Sequence, residues 1–104
     1  MDRNRRSPRI LASIPVYLTV GQGPPLPTVT AVINRHGALV LSMLLHDEGT
    51  VLRIQNELTS EATDCRVVWV EVDVSGTYKL GIEFIHNTPA FWGEVYEKRM
   101  LGTQ

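Results

Sequence analysis

Residues 65–85 read CRVVWVEVDVSGTYKLGIEFI, and this stretch decides how the rest of the chain is parsed. From Cys65 to Val74 the valines dominate, with Val68, Val70, Val72 and Val74 on one parity and Val67, Trp69, Glu71 and Asp73 on the other. Period-two alternation over β-branched residues predicts a strand. Ser75-Gly76-Thr77 then turns the chain, and Tyr78 to Ile85 resumes with Tyr78, Leu80, Ile82 and Phe84 on one parity. Two such runs around a short glycine turn predict an antiparallel hairpin.

The same pattern recurs upstream. Ile10 to Val20 reads as a strand with Ile14, Val16, Leu18 and Val20 on one face. Gly21-Gln22-Gly23-Pro24-Pro25 is a turn, and Pro27 suits the start of an edge strand. Thr28 to Asn34 and Ala38 to Met43 are strands broken by Arg35-His36-Gly37, and Thr50 to Gln55 follows the turn His46-Asp47-Glu48-Gly49. Asn56 to Thr63 is polar and reads as a loop. Downstream, Asn87-Thr88-Pro89 offers a helix cap followed by proline at a first helical position. Phe91, Trp92, Val95, Tyr96 and Arg99 keep helical spacing, which predicts a helix ending near Gly102. Six strands and one terminal helix predict a mainly β fold, a six-stranded antiparallel barrel whose closure leaves no exposed edges.

At 104 residues the chain holds one domain with one core. Its charge is unevenly spread. Residues 1–9 carry Arg3, Arg5, Arg6 and Arg9 against Asp2, while the other residues carry a net negative charge. A flexible arginine-rich arm (1–9) ahead of a single barrel domain (10–104) is the expected organisation. Cys65 is the sole cysteine, so no internal disulfide forms, and a strand position predicts a buried, inert thiol. No apolar run approaches the length of a membrane span, and the basic start lacks the apolar core of a signal peptide. A cytoplasmic location is expected.

The chemistry on offer is narrow. No phosphate loop, GxSxG elbow or HExxH motif occurs, and His36, His46 and His86 fall singly at turns or strand ends. A catalytic site, a metal and a resident cofactor are therefore not expected. Two polar features remain. Arg5-Arg6-Ser7-Pro8-Arg9 runs into the first strand, and a guanidinium suits phosphates and stacks on planar rings. Asn34-Arg35-His36-Gly37 separates two apolar strands. By itself this is a hairpin turn, with Asn and Gly supplying positive φ.

Together and in this order, the two features resemble the PilZ family of cyclic di-GMP receptors. The family pattern is RxxxR before the first strand, then (D/N)xSxxG after the second. Arg5 and Arg9 match the first motif, and Val32 to Gly37 lies where the second belongs. Leu80-Gly81-Ile82-Glu83-Phe84 and the Phe91-Trp92 pair opening a terminal helix fit as well, so the resemblance runs from Arg5 to about Arg99. It implies a non-catalytic module that binds cyclic di-GMP through Arg5, Arg6, Arg9, Asn34, Arg35 and Gly37, and signals to a separate effector protein. The second motif departs from the pattern. Val32 stands at the Asp/Asn position and Asn34 at the Ser position. A lost hydrogen bond to a buried guanine edge costs about 1–3 kcal/mol. Asn34 can compensate, because its amide donates and accepts. The alternative implied is an adaptor that does not bind the nucleotide and acts through protein contacts, with Phe91, Trp92 and Tyr96 as candidate surface. Nucleic-acid binding through the arm is disfavoured by the acidic body and by the lack of an evident aromatic platform.

Overall fold

A computed structural model describes residues 8–100. Arg5 and Arg6, and with them most of the expected arm, lie outside the described residues. Seven strands and one helix follow in order: β1 (Ile10–Leu11), β2 (Pro15–Thr19), β3 (Leu26–Asn34), β4 (Gly37–Ser42), β5 (Val51–Asn56), β6 (Ala62–Val72), β7 (Tyr78–Phe84) and α1 (Glu94–Met100). All pairings are antiparallel. The ring runs β2-β5-β6-β7-β4-β3 and closes because β3 pairs both β2 and β4. It is the expected six-stranded barrel, with β1 as an extra short strand on β3.

The predicted first strand is split. Ile10–Leu11 pairs with Val32 and Ile33, and Pro15–Thr19 pairs further along β3. Thr30 explains the gap. Its buried hydroxyl donates to the Ala12 carbonyl (2.5 Å) and accepts from the Ile14 amide (2.9 Å). Those backbone groups are satisfied without a ladder partner, so the chain jogs between β1 and β2 at no hydrogen-bond cost. Pro27 lies beyond Thr30↔Val40, where the β3–β4 register starts, so its missing N–H deprives no β4 partner.

The predicted parity of the long strand also needs correction. β6 starts at Ala62, inside the expected loop, and it carries a bulge: Val67 pairs with Ile82 and Trp69 with Gly81. Val68 is the extra residue. Thr63, Cys65 and Val67 therefore point inward before the bulge and Val70 after it, while Val68 and Trp69 are exposed and Val72, on the parity of Val70, is exposed where the strand ends. One inserted residue flips every later side chain, which a uniform alternation cannot encode.

Ile14, Val16, Leu18, Ile33, Val40, Leu52, Ile54, Cys65, Val67 and Leu80 fill the barrel. Its lower opening is plugged by Phe91 and Trp92, whose rings meet edge to face at 4.7 Å. These two residues precede the helix instead of opening it. Ala90 (φ 62°) and Gly93 (φ 104°) adopt left-handed backbone on either side, so helical hydrogen bonding begins only with Glu97 N donating to Gly93 O. Thr88, expected as part of the cap, instead bonds Thr63 and the His86 carbonyl. Phe91 and Trp92 are core, so of the three aromatics suggested as a docking surface only Tyr96, half-buried on α1, remains partly accessible. No described helix is long and apolar enough to cross a membrane.

Candidate functional site

The β3–β4 hairpin is held from three sides. Asn34 Oδ1 accepts from the His36 amide (2.7 Å), a local turn that fixes the loop. Phe84 N donates to the His36 carbonyl (2.7 Å), and the Trp92 indole N–H donates to the Asn34 carbonyl (2.9 Å). Gly37 completes the arrangement for a reason other than positive φ. A Cβ built there would sit 2.0 Å from the Ile82 carbonyl oxygen. The glycine lets β4 press against β7, and no other residue fits.

Beside this hairpin lies an open cleft of about 460 Å³. Arg9, at the entry to β1, forms one wall with Val32, Asn34, His36 and Gly37. The rest of the lining includes Val68 and Trp69 on β6 and Gly81 and Glu83 on β7. Of the residues expected to bind ligand, Arg9, Asn34 and Gly37 are brought together here. Arg35 is turned elsewhere: its guanidinium pairs with Glu97 of α1 at 3.1 Å, and its buried Nε has no hydrogen-bond partner. Glu97 also accepts from the Ala90 amide (3.2 Å), so the hairpin and the start of the helix share one carboxylate.

Trp69, Glu83 and Gly81 went unrecognised as site residues in the sequence. Trp69 is 43% exposed and packs across Gly81, where an added Cβ would lie 3.1 Å from its own Cβ. The ring thus lies over Gly81 and joins Arg9 in lining the cleft. Its signal was present in the Leu80-Gly81-Ile82 run, since a glycine opposite a tryptophan leaves room for the ring. Without the bulge, its cross-strand partner was not readable. Glu83 adds an exposed carboxylate to the same rim. Among the described residues no three His, Cys, Asp or Glu side chains converge as a metal site.

A closed antiparallel barrel, plugged below by aromatics, with a glycine-dependent hairpin opening on an arginine-entered cleft, defines a small class of β-barrel modules. The chain belongs to the PilZ family: the PilZ domain model matches residues 3–94. Among solved structures it is similar to the Bacillus subtilis Inhibitor of motility (MotI/DgrA), with a TM-score of 0.72 and 19% identity over 97% of this chain. At that identity the likeness concerns the fold. The chain spans about half of that protein, 49% of its length. None of the curated proteins matches the chain by sequence.

Proposed function

We propose that the protein is a non-catalytic receptor module for cyclic di-GMP, with the ligand seated in the Arg9–Trp69 cleft. One observation carries this reading: Arg9, Asn34 and Gly37 line one cleft. The ligand has two phosphates and two guanines. Arg9, joined by Arg5 and Arg6 of the same segment, supplies charge for a phosphate and a fork for the guanine O6 and N7 acceptors. Trp69 offers a face on which a purine can stack, worth about 1–3 kcal/mol. Glu83 can accept from the guanine N–H donors, a role that Val32 cannot fill.

Calorimetric titration of the full chain with cyclic di-GMP tests the reading. Saturable heat is expected, and Arg9→Ala should weaken affinity about tenfold or more, as loss of a charge-assisted contact requires. Absence of heat at millimolar ligand would sink it.

A second reading is favoured by Val32, which puts an apolar side chain where the family pattern has an acceptor. In that case the module is a PilZ adaptor acting on another protein without the nucleotide, and the titration stays silent for wild type and variant alike.

A further inference from the structure

The hairpin that lines the cleft is also where the barrel meets the chain that follows β7. Asn34 and Arg35 are neighbours in sequence but serve different parts of the molecule. Asn34 belongs to the cleft lining, and Arg35 does not. The Asn34 carbonyl accepts from the Trp92 indole N–H (2.9 Å), and the Arg35 guanidinium pairs with Glu97 (3.1 Å). Two ties therefore run from the hairpin to the segment 92–97. The first is fixed by the core, since Trp92 is buried. The second joins side chains that are 33% and 20% exposed, a pair less screened than one in open solvent. Arg35 Nε is buried without a hydrogen-bond partner, so the guanidinium is anchored at its tip, by Nη2 on Glu97. Removing that carboxylate leaves a half-buried cation uncompensated, which favours a rearranged hairpin.

Helix α1 has a matching weakness. It has 7 residues, whereas an isolated helix in water needs about 12–15 to persist. It is held by docking. Met100 is part of the core, and Tyr96, one turn earlier, packs against it. Between them Glu97 reaches both Arg35 and the Ala90 amide (3.2 Å). The order of this short helix therefore depends on the hairpin it grips.

We propose that Glu97 is a positioning residue for the cleft: through Arg35 it holds the hairpin in the form that presents Asn34 and Gly37 to a ligand, and occupancy of the cleft in turn steadies α1. This role rests on the cleft being the cyclic di-GMP site. Glu97 does not line the cleft, so any effect it has on affinity passes through Arg35. A ligand that grips the hairpin selects one form of it, and the selected form is the one that reaches Glu97. Coupling of this kind is reciprocal, so what α1 gives the ligand in affinity the ligand returns to α1 in order.

The test is calorimetric titration of the full chain with cyclic di-GMP, for wild type, Glu97→Gln, Arg35→Gln and the double variant. Glutamine keeps an oxygen for the Ala90 amide and removes the charge that holds Arg35. Glu97→Gln should weaken affinity about fivefold, the lower end of ordinary coupling between sites. In the Arg35→Gln background the same change should add nothing, because the path is already cut. Hydrogen exchange supplies a second readout: saturating nucleotide should slow exchange of the α1 amides in wild type but not in Glu97→Gln. Unchanged affinity in Glu97→Gln, additive losses in the double variant, or α1 exchange indifferent to the nucleotide overturns the proposal. A carboxylate that served the helix alone would, when lost, speed α1 exchange with and without nucleotide and leave affinity as it was. Silence of the wild type removes the nucleotide reading and this role with it, whereas heat from wild type with equal affinity in Glu97→Gln overturns the role alone.

Discussion

Gly37 shows how a single position can be right for one reason and read for another. The sequence suggests a turn glycine, and the structure gives it a packing role against the Ile82 carbonyl. The atom an added Cβ would meet is backbone, with no flexible end to move, so even a methyl group must push β4 from β7. Gly37→Ala is therefore expected to destabilise by about 1–3 kcal/mol, the range of overpacking. Urea unfolding measures it, and a midpoint equal to wild type would show that the strands separate without cost. Arg9 and Asn34 were legible as polar residues on either side of one β3 end. Arg35 was not legible as a helix partner, because Glu97 is remote in sequence and only the folded chain brings it to 3.1 Å.

Strands were readable as strands because their β-branched alternation is local. What escaped were the irregularities that tertiary contacts impose. The jog between β1 and β2 depends on Thr30 reaching across to Ala12 and Ile14. The bulge at Val68 depends on the register with β7. The helix start was placed too early because Phe91 and Trp92 keep helical spacing, yet burial under the barrel governs them. Left-handed backbone at Ala90 is the visible cost, about 1–2 kcal/mol for a residue with a Cβ. Ala90→Gly should recover up to about 1 kcal/mol, whereas Gly93→Ala, at φ 104°, should lose a similar amount. Paired thermal melts with opposite shifts would confirm this, and shifts of the same sign would contradict it.

Taken as one body, the barrel has a mainly apolar interior, and that sets its response to alkali. Burial, with a smaller contribution from nearby Asp64, pushes the Cys65 thiol up to about 12. In the unfolded chain the same thiol ionises near 9.0. Between those values the unfolded state releases a proton that the folded state keeps, so stability is fully present below pH 9 and declines as pH rises toward 12. The limiting slope for one group is about 1.4 kcal/mol per pH unit. Tyr17 acts in the same direction, because its hydroxyl donates to Glu57 (2.7 Å) and that bond holds it protonated above 10.0. Denaturation midpoints from pH 8 to 11 should fall for wild type and flatten between 9 and 10 for Cys65→Ala, leaving the tyrosine contribution above that. A parallel fall in both proteins would reject the thiol as the cause.

The closure of the ring through β2–β5 and β4–β7 also governs how the molecule forms. The β3–β4 and β6–β7 hairpins join near neighbours, but the two seams join Val16 to Asn56 and Gly37 to Glu83, far apart along the chain. Neither hairpin buries its apolar face until both seams shut. Chain-entropy loss thus precedes most of the reward, which places folding among the slow, non-local topologies, in about milliseconds to seconds. It also means that the cleft and its glycine-dependent hairpin come into existence late, in the same step that completes the barrel.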